Sequence, residues 1–300
     1  MRTSSLDFAI ETDGVSRSFD GTTALSNLTL RVPRGTIYGF LGRNGAGKTT
    51  ALKIIAGLIK PDRGSVRVLG TDPFEFTAED RQRVGYLSEK QILPAFMKVG
   101  NLLAFCAPFY PGWDQPLVDR LLDSFRIDRK KRIGVLSQGA QRQVAFILAL
   151  AQRPELLLLD EPASTLDVVA RREFLDEILD LLRQDGPTVF LSSHILSDIE
   201  RVADHIGILA DGALMISEPL DRLKDTVKQV RFFGFNRDSA SFAIPGAFRS
   251  EQSGREWLVT LRLEDPAQLD APLRPWGARY EIQDLNLEDI FVELSRHSTP

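Results

Sequence analysis

The stretch that decides the fold is Thr36-Ile37-Tyr38-Gly39-Phe40-Leu41-Gly42-Arg43-Asn44-Gly45-Ala46-Gly47-Lys48-Thr49-Thr50. Its first six residues are nearly all apolar, the pattern of a strand buried on both faces. Its last nine carry three glycines followed by Lys48 and Thr49, and Leu52, Ile55 and Leu58 then recur at helical spacing. A strand, a glycine-rich loop and a helix in that order can wrap an anion. Glycines let the backbone curl so that consecutive N–H groups point at phosphate oxygens. The helix N-terminus adds roughly half a positive charge. Residues 42–49 satisfy G-x-x-x-x-G-K-[ST] at every position, a match that average composition gives by chance on the order of once in a hundred chains of this length. Gly42, Arg43, Asn44, Gly45, Ala46, Gly47, Lys48, Thr49 and Thr50 are therefore the candidate phosphate cradle. The Lys48 ammonium suits β- and γ-phosphates, and the Thr49 hydroxyl suits Mg²⁺.

Outward from this centre the buried-strand pattern repeats. Leu156 to Leu159 is four leucines ending in Asp160-Glu161, Thr188-Val189-Phe190-Leu191-Ser192-Ser193-His194 is a third such stretch, and Ile206-Gly207-Ile208-Leu209 is a fourth, closed by Asp211-Gly212. Helical spacing runs through Leu117, Leu121, Leu122 and Phe125, through Val144, Ile147, Leu148 and Ala151, and through Phe174, Ile178 and Leu181. Strands alternating with helices predict a mostly parallel sheet with helices on both faces. Before it, Phe8-Ala9-Ile10 and Leu28-Thr29-Leu30-Arg31-Val32 alternate as half-exposed antiparallel strands do. Beyond about residue 220 short alternating stretches (Val230, Phe232; Trp257, Val259, Leu261; Tyr280, Ile282) and a last helix over Leu287–Leu294 predict a separate small α+β unit.

Composition narrows the function classes. Lys and Arg total 37 and Asp and Glu 41, and the mild net charge of −4 argues against a protein whose job is coating nucleic acid, where a basic face is expected. With 43% apolar and 26% charged residues the chain is globular rather than disordered. A lone cysteine, Cys106, fits a reducing compartment. No window reaches the roughly 18 uninterrupted apolar residues of a membrane-spanning helix. Met1 to Gly14, carrying Asp7, Glu11 and Asp13, lacks the basic start and apolar core of a secretory signal. The expectation is a soluble intracellular chain.

Three further constellations fit a triphosphate site. Asp160, at the end of an apolar strand, is placed to hold Mg²⁺. Glu161 follows it and points elsewhere, where a general base would meet an attacking water. His194, at the carboxyl end of another strand, can hydrogen-bond a γ-phosphate. His205 and His297 have no such placement and are expected to be structural. Leu136-Ser137-Gln138-Gly139-Ala140 precedes a helix expected to begin near Gln141. A Ser and a Gly there make a second anion-binding helix end. The phosphate loop already has its own helix, so this second end, with Ser137 and Gly139, makes sense only for a nucleotide held by another copy of the chain.

In this order the motifs resemble the ATP-binding subunit of an ABC transporter: phosphate loop 42–50, signature 136–140, Asp160-Glu161, the Ser164-Thr165-Leu166-Asp167 segment and His194. The resemblance covers roughly residues 6–220. Phe109-Tyr110-Pro111-Gly112-Trp113-Asp114 and Asn286-Leu287-Glu288-Asp289-Ile290-Phe291 are similar to single-cassette bacterial subunits of the ABC-2, drug-export-like group. It implies an α/β P-loop NTPase fold over residues 1–220, with a mostly parallel sheet, an antiparallel β subdomain and a helical subdomain at about 90–150, plus an accessory α+β domain over 221–300. It also implies ATP and Mg²⁺ as cofactors, Phe19 stacked on adenine, Asp167 at the nucleotide, and Glu89 as a Mg²⁺ ligand that senses the membrane partner. The family usually has Gln at position 89, and nearby Gln91 is the alternative sensor. Gln138 stands where Gly is usual, Ala140 where Gln is usual, and Thr165 where Gly is usual.

The implied machine is an ATP-sandwiched dimer with a second copy, or a homologous chain. It would drive a separate integral membrane permease, as an exporter, from the cytoplasmic face of the membrane and without nucleic acid. The expected contact runs from Glu89 to Trp113, with Ile92, Leu93, Phe96 and Met97 outward. The rival reading is a soluble ATPase of the same type working on chromosomes or ribosomes. Ser137 follows Thr49 by only 88 positions without sustained heptads, which leaves no room for the long coiled coil of the chromosome class. The ribosome class carries two cassettes in one chain.

Overall fold

Ile37 to Leu41 is buried at all five positions in strand β3, as a strand covered on both faces is, and parallel neighbours flank it on both sides. The structure is a computed structural model that describes residues 7–182, 186–235, 242–274 and 276–296. His297 and the first six residues lie outside the described residues. The chain divides into two compact units, residues 1–217 and 218–300.

In the first unit, β1 (Phe8–Phe19) and β2 (Thr22–Pro33) form an antiparallel hairpin. Its turn residues Asp20 and Gly21 both have positive φ, 47° and 81°, as a twisted two-residue hairpin turn requires. After β3 come α1 (Lys48–Ile55) and β4 (Arg63–Val68), and β4 pairs with β1 to give a sheet of order β2-β1-β4. Next are α2 (Ala78–Gln82) and β5 (Val84–Leu87). A helical stretch follows with α3 (Val99–Cys106), α4 (Gln115–Ser124) and α5 (Gln138–Leu150). Helix α5 begins three residues before the expected Gln141, because Ser137 Oγ accepts the Ala140 N–H and caps it there.

The chain then alternates β6 (Leu156–Asp160), α6 (Val168–Leu182), β7 (Thr188–Ser193), α7 (Leu196–Val202), β8 (His205–Ala210) and β9 (Ala213–Pro219). The main sheet has the order β5-β6-β7-β3-β8-β9, and its first five strands pair in parallel. Register fixes what matters for function: Leu41 faces Ser193 and Asp160 faces Ser192. The carboxyl ends of β3, β6 and β7 therefore finish together.

Aromatic rings lock these layers. Phe190 on β7 lies 5.4 Å from Tyr38 and 5.1 Å from Phe40 on β3, centroid to centroid. Phe146 on α5 and Phe174 on α6 meet at 4.5 Å, and Phe125 at the end of α4 packs on both. His205 stacks on Tyr38 at 6.4 Å, a structural role. In the segment expected to face a partner, Ile92 and Phe96 are exposed, but Leu93 is buried in the core and Met97 is half-buried. The expectation that all four face outward is thus corrected for Leu93, which packs inward, and for Met97, which is half-buried.

The second unit contains α8 (Leu220–Thr226), β10 (Val227–Phe233), β11 (Ala247–Ser253), β12 (Glu256–Arg262), α9 (Asp270–Leu273), β13 (Arg279–Asp284) and α10 (Leu287–Arg296). Its four strands form an antiparallel sheet of order β11-β12-β10-β13. Val230, Phe232, Val259 and Leu261 share one core with Phe242, Trp257, Trp276 and Tyr280. Among the described residues no helix of the chain is long and apolar enough to cross a membrane.

Phe190 is fully buried between two rings of the neighbouring strand. Phe190→Ala is expected to lower the stability of the first unit by about 3–5 kcal/mol, since a buried aromatic loses both transfer energy and packing. The urea midpoint of that unit's unfolding checks this.

Candidate functional site

The loop between β3 and α1 owes its shape to two glycines. A Cβ on Gly42 would sit 2.6 Å from the Leu209 carbonyl. At Gly47, with φ 106°, it would sit 2.3 Å from the Ala24 carbonyl. Only glycine allows the backbone to pass so close and to adopt that conformation. Lys48, 6% exposed, folds back over the loop, and its ammonium donates to the Gly42 carbonyl at 2.7 Å.

A cleft of about 330 Å³ opens over this loop. Its walls include Arg43, Asn44, Gly45, Gly47, Lys48, Thr49, Thr50, Glu89, Glu161 and His194. The structure therefore brings together residues that lie up to 170 positions apart in the chain, from Ala24 to His194. Gly42 and Ala46 shape the loop from behind: Gly42 O accepts from Lys48 and Ala46 N–H donates to Arg43 O. Ala24, on β2, and Ser164 complete the walls. Ala24 had no signal in the sequence, since it enters from another sheet.

Glu161 is the hub of the cleft. One carboxylate oxygen lies 3.3 Å from Lys48 Nζ and the other 2.7 Å from His194 Nδ1. Its backbone φ is +48°, a left-handed conformation that costs a non-glycine residue about 1 kcal/mol. Hydrogen bonds hold it there: Glu161 N–H donates to Ser192 Oγ at 3.1 Å and its carbonyl accepts from Ser164 Oγ at 3.0 Å. The sharp turn aims the carboxylate of Glu161 away from that of Asp160. His194 is half-exposed at the rim while Glu161 is 9% exposed at the side chain.

Asp160 is fully buried. Its Oδ1 accepts from Ser192 Oγ at 2.8 Å and from Thr49 Oγ at 3.2 Å, and its buried Oδ2 has no hydrogen-bond partner. A buried carboxylate oxygen left without a donor is costly in itself and suits a cation. Burial pushes the Asp160 carboxyl above the usual aspartate range, while the hydroxyls of Ser192 and Thr49 oppose this. Glu89, which also walls the cleft, adds charge repulsion in the same upward direction.

The remaining predicted residues lie elsewhere. Ser137 and Gly139 line a second concavity of about 400 Å³ together with Thr165, Leu166 and Asp167. It has no lining residue in common with the first cleft. Asp167 Oδ1 accepts the backbone N–H groups of Val169 and Ala170 and so caps α6. Phe19 ends β1, 41% exposed, with the Arg17 guanidinium 4.7 Å over its ring. Arg17 is held in turn by Asp62 at 2.6 Å.

Two side chains of the site were passed over in the sequence. Ser192 lies inside an apolar strand and reads as part of it. Arg142 lies on α5, and its fully spent guanidinium reaches the loops on either side of the cleft.

Because its carboxyl is raised in the fold, Asp160 favours folding when protonated, and this contribution is lost as pH rises through its folded value. Asp160→Asn is thus expected to raise the melting temperature of the ligand-free protein at neutral pH. The gain should shrink as pH falls into the ordinary aspartate range. Thermal melts of both chains across pH 4–8 check this.

Known proteins resemble this chain in sequence and fold. The family described as "ABC transporter" matches residues 25–164. The bacitracin transport ATP-binding protein BcrA of Bacillus licheniformis is 35% identical over 217 residues, which cover 72% of this chain and 71% of that protein. The Nod factor export ATP-binding protein I of Cupriavidus pinatubonensis is 33% identical over 299 residues, covering 95% of this chain and 90% of that one. A solved structure of an ATP binding subunit of an ABC transporter superposes with a TM-score of 0.65 at 28% identity, over 72% of this chain and 92% of that one. A dimeric bacterial ABC transporter cassette, MJ0796, shares the fold with a TM-score of 0.63 at 24% identity, over 70% of this chain and 98% of its own. With its phosphate loop, its buried aspartate and its Lys48–Glu161–His194 contact in one cleft, the chain belongs to the ATP-binding, ATP-hydrolysing subunits of ABC transporters.

Proposed function

We propose that two copies of this chain close on two ATP molecules with Mg²⁺, hydrolyse them, and drive a separate membrane permease that exports its cargo. The observation that carries this reading is the Glu161 carboxylate, 3.3 Å from Lys48 Nζ and 2.7 Å from His194 Nδ1 within the phosphate-loop cleft.

The loop amides of residues 42–50 and the Lys48 ammonium bind the β- and γ-phosphates. A γ-phosphate in the cleft gives Lys48 a phosphate partner in place of Glu161. The freed carboxylate takes a proton from water as the water oxygen bonds to the γ-phosphorus. The bond from that phosphorus to the bridging oxygen breaks, leaving ADP and inorganic phosphate. His194 donates to the γ-phosphate and stabilises the charge that builds there. The residues present fit Mg²⁺: Thr49 Oγ and the unpartnered Asp160 Oδ2 would hold it, with Glu89 beside them. When bound, the ion would neutralise part of the phosphate charge. Phe19 stacks adenine on the ring face that Arg17 leaves free.

Ser137, Gly139 and Asp167 serve the nucleotide of the second copy. The separateness of the two concavities within one chain supports that reading. ATP then holds two faces together, and its hydrolysis loosens them.

The permease contacts the segment from Glu89 to Trp113. Phe105 and Phe109 are 61% and 62% exposed there, with Ile92 and Phe96 nearby in sequence. A groove of about 360 Å³ between Gln91, Cys106, Tyr110 and Leu148 would receive a short element of the partner. Exposed aromatic residues clustered about a groove suit a protein partner. Export, rather than uptake, is supported by relatives named for Nod factor export. Attachment to the permease would hold the chain at the cytoplasmic face of the membrane. The alternating-sheet unit beyond residue 217 would be an accessory domain, and the Nod factor export relatives extend across it.

Glu161→Gln removes the base and keeps the shape. It is expected to lower kcat for ATP by a factor of about 100–10,000 while ATP binding persists. The variant should run as a stable dimer in Mg-ATP by size exclusion with light scattering. A variant that hydrolyses at the native rate, or stays monomeric with ATP bound, would sink the proposal.

A further inference from the structure

Arg142 is 6% exposed, a charged side chain deep in the protein. It stands one turn into α5, whose first turn carries Ser137 and Gly139. Its guanidinium has five N–H groups and meets five backbone carbonyls. Nη1 donates to Ser88 O and, at 2.8 Å, to Glu89 O. Nη2 donates to Asp160 O and, at 3.1 Å, to Glu161 O. Nε donates to Pro162 O at 3.3 Å. Each donor has an acceptor, and the acceptors belong to two different loops.

One loop follows β5 and carries Glu89. The other leaves β6 at its last residue, Asp160, and carries Glu161 and Pro162. Both side chains, Glu89 and Glu161, wall the phosphate-loop cleft. Strands β5 and β6 pair in parallel from Val84 with Leu156 to Leu87 with Leu159, so the two loops leave the sheet side by side, but their ladder ends at that last pair. The planar fork of Arg142 spans the gap. It also supports the carbonyl of Glu161 in its left-handed turn.

We infer that Arg142 is a positioning residue for hydrolysis: by clamping the Ser88-Glu89 and Asp160–Pro162 carbonyls together it sets Glu89 and Glu161 in register and links both to the signature helix α5. The inference rests on the roles proposed above for Glu89 and Glu161. Arg142 touches no substrate. The geometry of its donors matters more than its charge, because carbonyls of two loops need a fork of fixed shape. Lysine offers three donors on a single nitrogen and glutamine two.

The test uses the full chain with Arg142→Lys and Arg142→Gln, each alone and combined with Glu89→Gln. Affinity for ATP is read by calorimetry, and kcat is read as a function of Mg²⁺. Both single variants should keep ATP affinity within about twofold and lose about 100-fold in kcat, the scale of a misplaced catalytic group. The change that Glu89→Gln makes to the Mg²⁺ dependence in the native chain should vanish in either Arg142 background, since groups that act as a unit are not additive. Recovery of kcat by lysine but not glutamine would make charge the cause and overturn the clamp. So would equal losses of affinity and kcat, independent effects of Arg142 and Glu89, a silent Glu89→Gln, or a chain without a cooperative melt. Glu161→Gln run beside them separates the two readings. If it hydrolyses normally, the base assignment fails. If it is inactive while Arg142→Lys is fully active, only the clamp fails.

Discussion

Everything in the first unit depends on the parallel register that sets Leu41 against Ser193 and Asp160 against Ser192. Parallel strands buried on both faces can end together only if their ladders are in step. Here the strand that precedes the phosphate loop is inserted between β7 and β8, and β7 between it and β6. The loop, the buried aspartate and the histidine rim thus arise at one edge of one sheet. A slip of one residue would turn the aspartate away from Thr49.

The site concentrates charge where water is scarce. Lys48, Asp160, Glu161 and Arg142 are all buried. Taking such charges out of water is expensive unless each has a partner. Lys48 has Glu161 and the Gly42 carbonyl, Glu161 has Lys48 and His194, and Arg142 has a full set of carbonyls. Two buried carboxylate oxygens lack a hydrogen-bond partner, Glu161 Oε1 and Asp160 Oδ2. Glu161 Oε1 keeps the Lys48 ammonium at 3.3 Å, whereas Asp160 Oδ2 is left in the state that suits a cation.

Packing carries this geometry outward. Rings from α4, α5 and α6 meet in one cluster, so the helix that starts at Ser137 and the helix that follows Asp167 are held as a pair. That is why those two segments share a concavity. The second unit is built on different principles, an antiparallel sheet around its own aromatic core, and it keeps its own ion pairs, such as Arg262 with Glu218 and Lys228 with Asp284.

The residues of the loop, Asp160, Glu161 and His194 were legible in the sequence because their chemistry is local: a glycine pattern, or a polar residue that ends an apolar strand, announces itself within a few positions. The buried strands were legible for the same reason. Strands β4 and β11 gave little signal, since RGSVRV is mostly exposed and AFRSEQS is an edge strand with little apolar alternation. Leu93 was misplaced because an apolar residue beside exposed ones carries no mark of which way it turns. Arg142, Ser192 and Ala24 were out of reach altogether. Their roles rest on hydrogen bonds and close approaches across 18 to 54 positions for Arg142 and about 30 for Ser192. The sequence by itself determined which groups of this protein are candidates for chemistry, because that depends on residue type and short-range pattern. Only the tertiary structure decided which of them meet, because strand order and loop clamping bring distant backbone together.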